Sequence, residues 1–178
     1  MCAQRTLTRL IANPAPRTPL GPPRYIQNML YRLYRPEDFP QLYAIERECF
    51  QPSLRFNRRY MQKLIASPDS ATWIAEEGQQ MTGFAIVEWT SESENITAYI
   101  QTLEVAPAHR HRAIATELLR RLETSATTAG ATAIGLHVAE SNAPAMHLYQ
   151  AHGYLPQGRE ENYYAQRIAA LIYFKPLN

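Results

Sequence analysis

The sequence predicts one α/β (α+β) domain in which a mixed sheet carries helices on both faces. Three observations carry that prediction. A length of 178 residues suits one domain with a sizeable core. Ala115, Leu118, Leu119, Leu122, Ala126 and Ala129 recur at helical spacing, so one face of a long helix is apolar. Strand-like stretches stand before and after that helix, and a second helix separates the last of them. The order along the chain is β-α-α-β-β-β-α-β-α-β-β, which amounts to about seven strands and about four helices.

Each element has its own signal. "LYRLYR" reads as the first strand. Pro36 opens "PEDFPQLYAIERECF", whose Leu42, Ile45 and Cys49 share a helical face. "FNRRYMQKLIAS" repeats the pattern with Tyr60, Met61, Leu64 and Ile65, and Asn57 is placed to cap it. Pro68 and Asp69 end that helix. Three strands follow, "ATWIAEE", "MTGFAIVEWT" and "ITAYIQTLEV", separated by the turn-forming stretches "EGQQ" and "SESEN". Gly130 stops the long helix. "ATAIGLHVAE" places Ile134, Leu136 and Val138 on one side of a strand and His137 on the other. "NAPAMHLYQAHG" is a helix ended by Gly153, and "YLPQGRE" and "IAALIYFK" close the chain as strands.

Residues 1–29 differ from the domain at 30–178. They hold Arg5, Arg9, Arg17 and Arg24, no acid, and five prolines from Pro14 to Pro23, a composition that buries little. Three readings stand for this segment: an irregular basic extension, a targeting peptide, or an upstream mis-assigned start codon.

Composition excludes several function classes. The chain is 46% hydrophobic and 19% charged, and its net charge of +2 is too small for a general nucleic-acid binder. No apolar run approaches the roughly 20 residues that span a bilayer, so no membrane partner is expected. Cys2 and Cys49 form no CxxC pair, which fits reduced thiols and a cytoplasmic setting. Asp38 and Asp69 are the sole aspartates and lie far from the other polar motifs, which argues against a Ser-His-Asp triad. His109 and His111, or His147 and His152, lack zinc spacing, and no metal is expected. There is no phosphate-loop lysine and no GxGxxG.

Two stretches remain. In "VAPAHRHRAIATELLRRLE", Arg110, His111 and Arg112 stand at the entrance of the long helix, beside Ala113, Ile114, Ala115 and Thr116. A helix N-terminus already carries unpaired N–H groups and the positive end of the macrodipole, so added cations destabilise it unless an anion is near. The residues leave two readings open, a phosphate cradle and a solvated basic turn. In "LHVAESNAPAMHLYQAHGY", Asn142, Met146 and Tyr149 share one helix face. His137 and Tyr149 are read either as site residues or as satisfied, buried polar groups.

Together these stretches resemble the GNAT superfamily of acetyl-CoA-dependent N-acetyltransferases. Val105, Pro107, His109, Arg110, Ala113, Ala115, Leu118 and Leu119 follow its pattern V-x-P-x-[YH]-R-x-x-G-x-[GA] and the paired leucines after it. Asn142, Ala145, Leu148, Tyr149, Gly153 and Tyr154 follow N-x-x-A-x-x-[LF]-Y-x-x-x-G-[FY]. Within the superfamily the chain is most similar to protein N-terminal acetyltransferases of the ribosomal-protein and Met-N-terminus types, through "YIQTLEVAPAHR", "LHVAESN" and "ENYY".

The resemblance implies a mostly antiparallel sheet, splayed where acyl-CoA binds. It implies acetyl-CoA as cosubstrate and a protein or peptide N-terminus, or a small amine, as acceptor. His137 and Tyr99 match the residues that deprotonate the amine, and Tyr149 matches a general acid for the CoA sulfur. Backbone groups of Leu103 and Val105 would pair with pantetheine. Arg110, His111, Arg112, Ala113, Ile114, Ala115 and Thr116 would hold the pyrophosphate, with Asn142 and Tyr149 completing the cofactor site. Phe50, Tyr163 and Tyr164 would line the peptide groove. Ala113 departs from a family glycine, and the turn is expected to bind if Ala113 keeps a right-handed helical φ. Other readings are acetylation of a small molecule or a lysine side chain, a non-catalytic acyl-CoA-binding module, and a nucleic-acid module.

Overall fold

The computed structural model describes residues 29–52, 54–92, 95–165 and 168–177. The extension up to residue 28, with Cys2, therefore lies outside the described residues, as does the tip of the "SESEN" turn. The elements follow the expected order. They are β1 (Met29–Leu33), α1 (Phe39–Cys49), α2 (Arg58–Ile65), β2 (Ser70–Glu77), β3 (Gln80–Glu92), β4 (Asn95–Val105), α3 (Ile114–Thr128), β5 (Ala131–Ala139), α4 (Ala143–Ala151), β6 (Leu155–Ala165) and β7 (Ile168–Pro176). Met29 already belongs to β1.

One seven-stranded sheet runs β1-β2-β3-β4-β5-β7-β6, and it is antiparallel except between β4 and β5. Those two are joined by α3, as a parallel pair requires a crossover. The apolar stripe of α3 explains its placement: Leu118, Leu119, Leu122 and Ala126 are fully buried against β2 to β5. Burial of each leucine contributes about 1.5–3 kcal/mol. The Trp73 indole N–H donates to Ser125 Oγ at 2.9 Å, fixing the rotation of α3 over β2. The opposite face is covered by α1 and α2, whose Leu42, Ile45, Met61 and Leu64 pack on Ile74, Phe84 and Ile86.

Local chemistry sets the ends. Asn57 Oδ1 accepts from the Tyr60 N–H at 2.8 Å and starts α2, as its position predicts. Gly130 and Gly153 take positive φ, 86° and 84°, just past α3 and α4. Arg32 on β1 donates two hydrogen bonds to buried Asp38 and one to Glu76, tying the short Pro36–Asp38 turn to the sheet. The Arg32 guanidinium holds the Asp38 carboxyl below the usual carboxylate range.

Two irregularities prepare the site. Gln101 is an extra residue on β4, because Thr102 faces Ile86 while Ile100 faces Val87. Such a bulge bends its strand and adds twist. The β4–β5 ladder then ends at Tyr99 and Gly135. Beyond that fork β4 continues to Val105 and β5 to Ala139 with no pairing between them. The sheet is open there, as the resemblance implied.

Candidate active site

The fork opens into a cleft of about 470 Å³, comparable to the pockets that hold small ligands. Its walls come from β4 (Tyr99, Thr102, Leu103), β5 (Leu136, His137, Val138), α4 with its cap (Asn142, Ala145, Tyr149), the loop after α1 (Phe50, Leu54, Phe56) and the β6–β7 hairpin (Tyr163, Tyr164). The structure therefore gathers Tyr99, His137, Tyr149, Leu103, Asn142, Phe50, Tyr163 and Tyr164, all singled out from the sequence, around one cavity. Ser53, which belongs to the stretch containing Phe50, lies outside the described residues.

His137 is held by four contacts in the cleft. Its Nδ1 is hydrogen-bonded to the Tyr99 hydroxyl. Its ring stacks on Tyr163, with centroids 4.1 Å apart and planes within 6°. Its backbone carbonyl accepts from the Tyr164 hydroxyl at 2.8 Å. Its Nε2 lies 3.2 Å from Glu160 Oε2, a partner the sequence did not reveal. Burial, reinforced by the Tyr163 hydroxyl 3.5 Å away, pushes the Tyr99 phenol well above its usual pKa, so it stays protonated. Burial does the same to Tyr149.

Glu160 escaped notice because its partner is two strands away. Residue 137 pairs with Ile172, and Glu160 pairs with Ala170, which also pairs with Ala139. Ala139 and Ala170 share the face of His137 by alternation, and their small side chains leave room for Glu160 to reach across β7.

Below the fork, Glu46 of α1 and Glu104 of β4 bring two carboxyl groups into the interior, each almost fully buried. Burial, followed by the neighbouring Glu46 carboxyl, raises the Glu104 pKa well above the carboxylate range. Thr102 Oγ1 donates to Glu104 Oε1 at 2.7 Å, and the Phe56 N–H donates to Glu46 Oε1 at 2.7 Å. Cys49 adjoins this pair, and burial pushes its thiol up to about 11. A thiol so held is a poor nucleophile at neutral pH.

The helix entrance forms the other end of the region. Arg110 Nε donates to the Val105 carbonyl at 3.1 Å, and Arg112 makes a two-pronged pair with Glu77. Glu77 thus supplies an anion for part of the charge that the sequence places here. Ala113 differs from the expectation: it takes φ 60° and ψ 11°, the left-handed conformation, instead of a right-handed helical one. His111 is also left-handed, at φ 61°. The turn keeps the backbone path a glycine would favour, because the N–H groups of Ile114, Ala115 and Thr116 must start α3 where β4 ends. The side chain of Ile114 is buried, so that residue offers only its backbone to a ligand. Left-handed residues beside a helix N-terminus form an anion-binding concavity, and the unpaired edge of β4 can take an extended chain. Both fit a nucleotide with a pantetheine arm.

A family model for the acetyltransferase (GNAT) family matches residues 39–154. The chain belongs to the GNAT acetyltransferase family. Its members use acetyl-CoA as cosubstrate, and the open β4 edge and the α3 entrance suit that ligand. Streptothricin acetyltransferase of Streptomyces lavendulae is 36% identical over 87 residues, 48% of this chain, and that match spans 45% of the relative's length. The ribosomal-protein-S18-alanine N-acetyltransferase of Escherichia coli superposes with a TM-score of 0.73 at 21% identity, covering 84% of this chain and 94% of that one. Arabidopsis thaliana NAA60 in complex with acetyl-CoA superposes with a TM-score of 0.75 at 22% identity, covering 84% and 99%. These likenesses establish the fold. No group of three or more metal-binding side chains occurs among the described residues. No helix there is long and apolar enough to cross a membrane.

Proposed function

We propose that this GNAT protein transfers acetyl from acetyl-CoA to the α-amine of a protein or peptide N-terminus. The observation that carries the reading is the Tyr99–His137 pair at the fork, walled by Phe50, Tyr163 and Tyr164. A deprotonating group and a groove for an extended chain thus meet where β4 and β5 part.

Bound acetyl-CoA supplies an acetyl thioester. The acceptor enters as an ammonium and needs to lose a proton before it can attack. Tyr99, kept protonated by burial, cannot act as a standing phenolate. It can accept the amine proton only as it passes its own to His137 Nδ1. Tyr149 also stays protonated, which suits a donor to the departing sulfur. Leu103, Val105 and Asn142 border the path of the pantetheine arm, and Arg110, His111, Arg112 and the α3 entrance receive the pyrophosphate. Holding amine and thioester together supplies much of the rate.

The test is CoA release with a panel of N-terminal peptides, lysine peptides and small amines, with the acetylated atom located by mass spectrometry. Acetylation at peptide α-amines supports the reading. Turnover of small amines alone overturns it in favour of a small-molecule acceptor, which the likeness to streptothricin acetyltransferase favours. Acetyl-CoA binding without turnover of any amine would mean a binding module.

A further inference from the structure

We propose that Glu160 is a positioning residue for this reaction: it holds His137 in the Nε2–H tautomer, turns Nδ1 toward Tyr99, and balances the charge that the imidazole gains. The inference rests on the proton path proposed above.

The tautomer follows from hydrogen-bond roles. The Tyr99 hydroxyl contacts Nδ1 and can donate to it or accept from it, so the tautomer is set at the other ring nitrogen. Nε2 lies 3.2 Å from Glu160 Oε2, and a carboxylate can only accept, so the neutral imidazole carries its proton on Nε2 and leaves Nδ1 to accept from Tyr99. The carboxylate accepts from that N–H. The two contacts are therefore mutually consistent, with the Glu160 contact setting the tautomer. Among the described residues, the titratable and charged groups in contact with the ring or its backbone are Tyr99 from β4 and Glu160, Tyr163 and Tyr164 from β6. Among these, Glu160 is the one carboxyl group.

The proton balance gives Glu160 its work. One ammonium proton passes to the Tyr99 oxygen while the phenol proton passes to Nδ1. His137 then holds one extra proton and a positive charge. Glu160 offsets that charge until the proton leaves to water. The arrangement has an exit: the Glu160 side chain is 54% exposed while that of His137 is 16% exposed. Arg159 lies beside Glu160 in sequence, but its guanidinium is paired with Glu140 and Glu161, which leaves it turned to other carboxylates.

Two measurements test this. The first needs no turnover: the long-range proton–nitrogen spectrum of His137 in the full chain. The Nε2–H tautomer is expected, with Glu160→Gln and Glu160→Ala moving the ring toward a mixture. An Nδ1–H tautomer in the parent, or no change in the variants, overturns the inference. The second is steady-state kinetics on the best acceptor. Glu160→Gln should lower kcat about tenfold, the scale of a charge-assisted hydrogen bond, with KM for the amine and Kd for acetyl-CoA within about twofold. An unchanged kcat, or a loss confined to KM, overturns it and makes Glu160 a groove residue. A parent chain that acetylates no amine defeats the proposed function, while the spectrum still decides the tautomer.

Discussion

The carboxyl groups of Glu46 and Glu104 face each other across the interior between α1 and β4. Each has one oxygen supplied by a donor, the Phe56 N–H for Glu46 and the Thr102 hydroxyl for Glu104. The remaining oxygens, Glu46 Oε2 and Glu104 Oε2, are buried and have no hydrogen-bond partner. A proton kept on Glu104 and donated to Glu46 accounts for both. One proton thereby satisfies two buried oxygens.

Stability should therefore fall with rising pH through this pair. Glu104 in the unfolded chain ionises near its ordinary value of 4.5, whereas in the folded protein it keeps its proton to a much higher pH. Between those two values the folded state binds more protons, so ionisation favours unfolding. The contribution is complete below 4.5 and is lost as pH climbs toward the raised folded value. Glu104→Gln removes this dependence while keeping a donor toward Glu46. Denaturation midpoints of the two proteins should diverge as pH rises, with the variant the more stable at high pH. Parallel pH curves would remove the shared proton.

Ala113 should accept its glycine. A left-handed alanine is disfavoured by about 1–2 kcal/mol, and glycine gives back roughly 0.5–1 kcal/mol through unfolded-chain entropy. Ala113→Gly should raise stability by up to about 1 kcal/mol and preserve or tighten acetyl-CoA binding. A lower melting temperature together with weaker binding would show that the alanine makes a contact of its own. Arg110→Glu with Arg112→Glu should weaken acetyl-CoA binding in a calorimetric titration, and unchanged affinity would end the pyrophosphate role of this turn.

Gly83 should tolerate no side chain. A Cβ there would stand 2.6 Å from the Glu104 carbonyl oxygen and 3.3 Å from Val105 Cα, both backbone atoms of β4. Only movement of the strand relieves such contacts. Gly83→Ala should lose about 1–3 kcal/mol in a denaturant titration and also weaken acetyl-CoA binding, because β4 is the strand meant to pair with it. A stability loss with intact affinity would separate the two strand edges.

His137→Ala and Tyr99→Phe should each depress kcat by about a hundredfold or more, the scale of general-base loss, with acetyl-CoA affinity nearly intact. Their double variant should lose little beyond the worse single one, since the two act as one relay. Independent, additive losses would mean separate roles.

Much of this was legible in one dimension. The stripe from Ala115 to Ala129 determined a helix with one buried face, and alternation through "AIGLHVA" set His137 apart from Ile134, Leu136 and Val138. Capping by Asn57 and the glycines after α3 and α4 marked the ends of those helices, whereas the cap that Asn142 provides for α4 came from the structure. These signals are local, acting within a turn of helix or a pair of strand residues. The GNAT patterns are local too, so the sequence carried the resemblance, and the resemblance named most residues around the cleft.

Other features are products of register and packing. Glu160 meets His137 only because β7 lies between their strands with alanines at the crossing. Glu46 meets Glu104 across 58 positions of chain only because α1 packs on the face of β4 that Glu104 occupies. Ala113 is left-handed because the end of β4 and the start of α3 are both anchored, and the backbone between them must turn as a glycine would. By itself the sequence determined the elements, their order and the chemistry each carries, since those depend on neighbours along the chain. Tertiary structure alone decided which carboxylate serves the histidine and which buried acids share a proton, because such pairings depend on strand register and helix placement that no local spacing encodes.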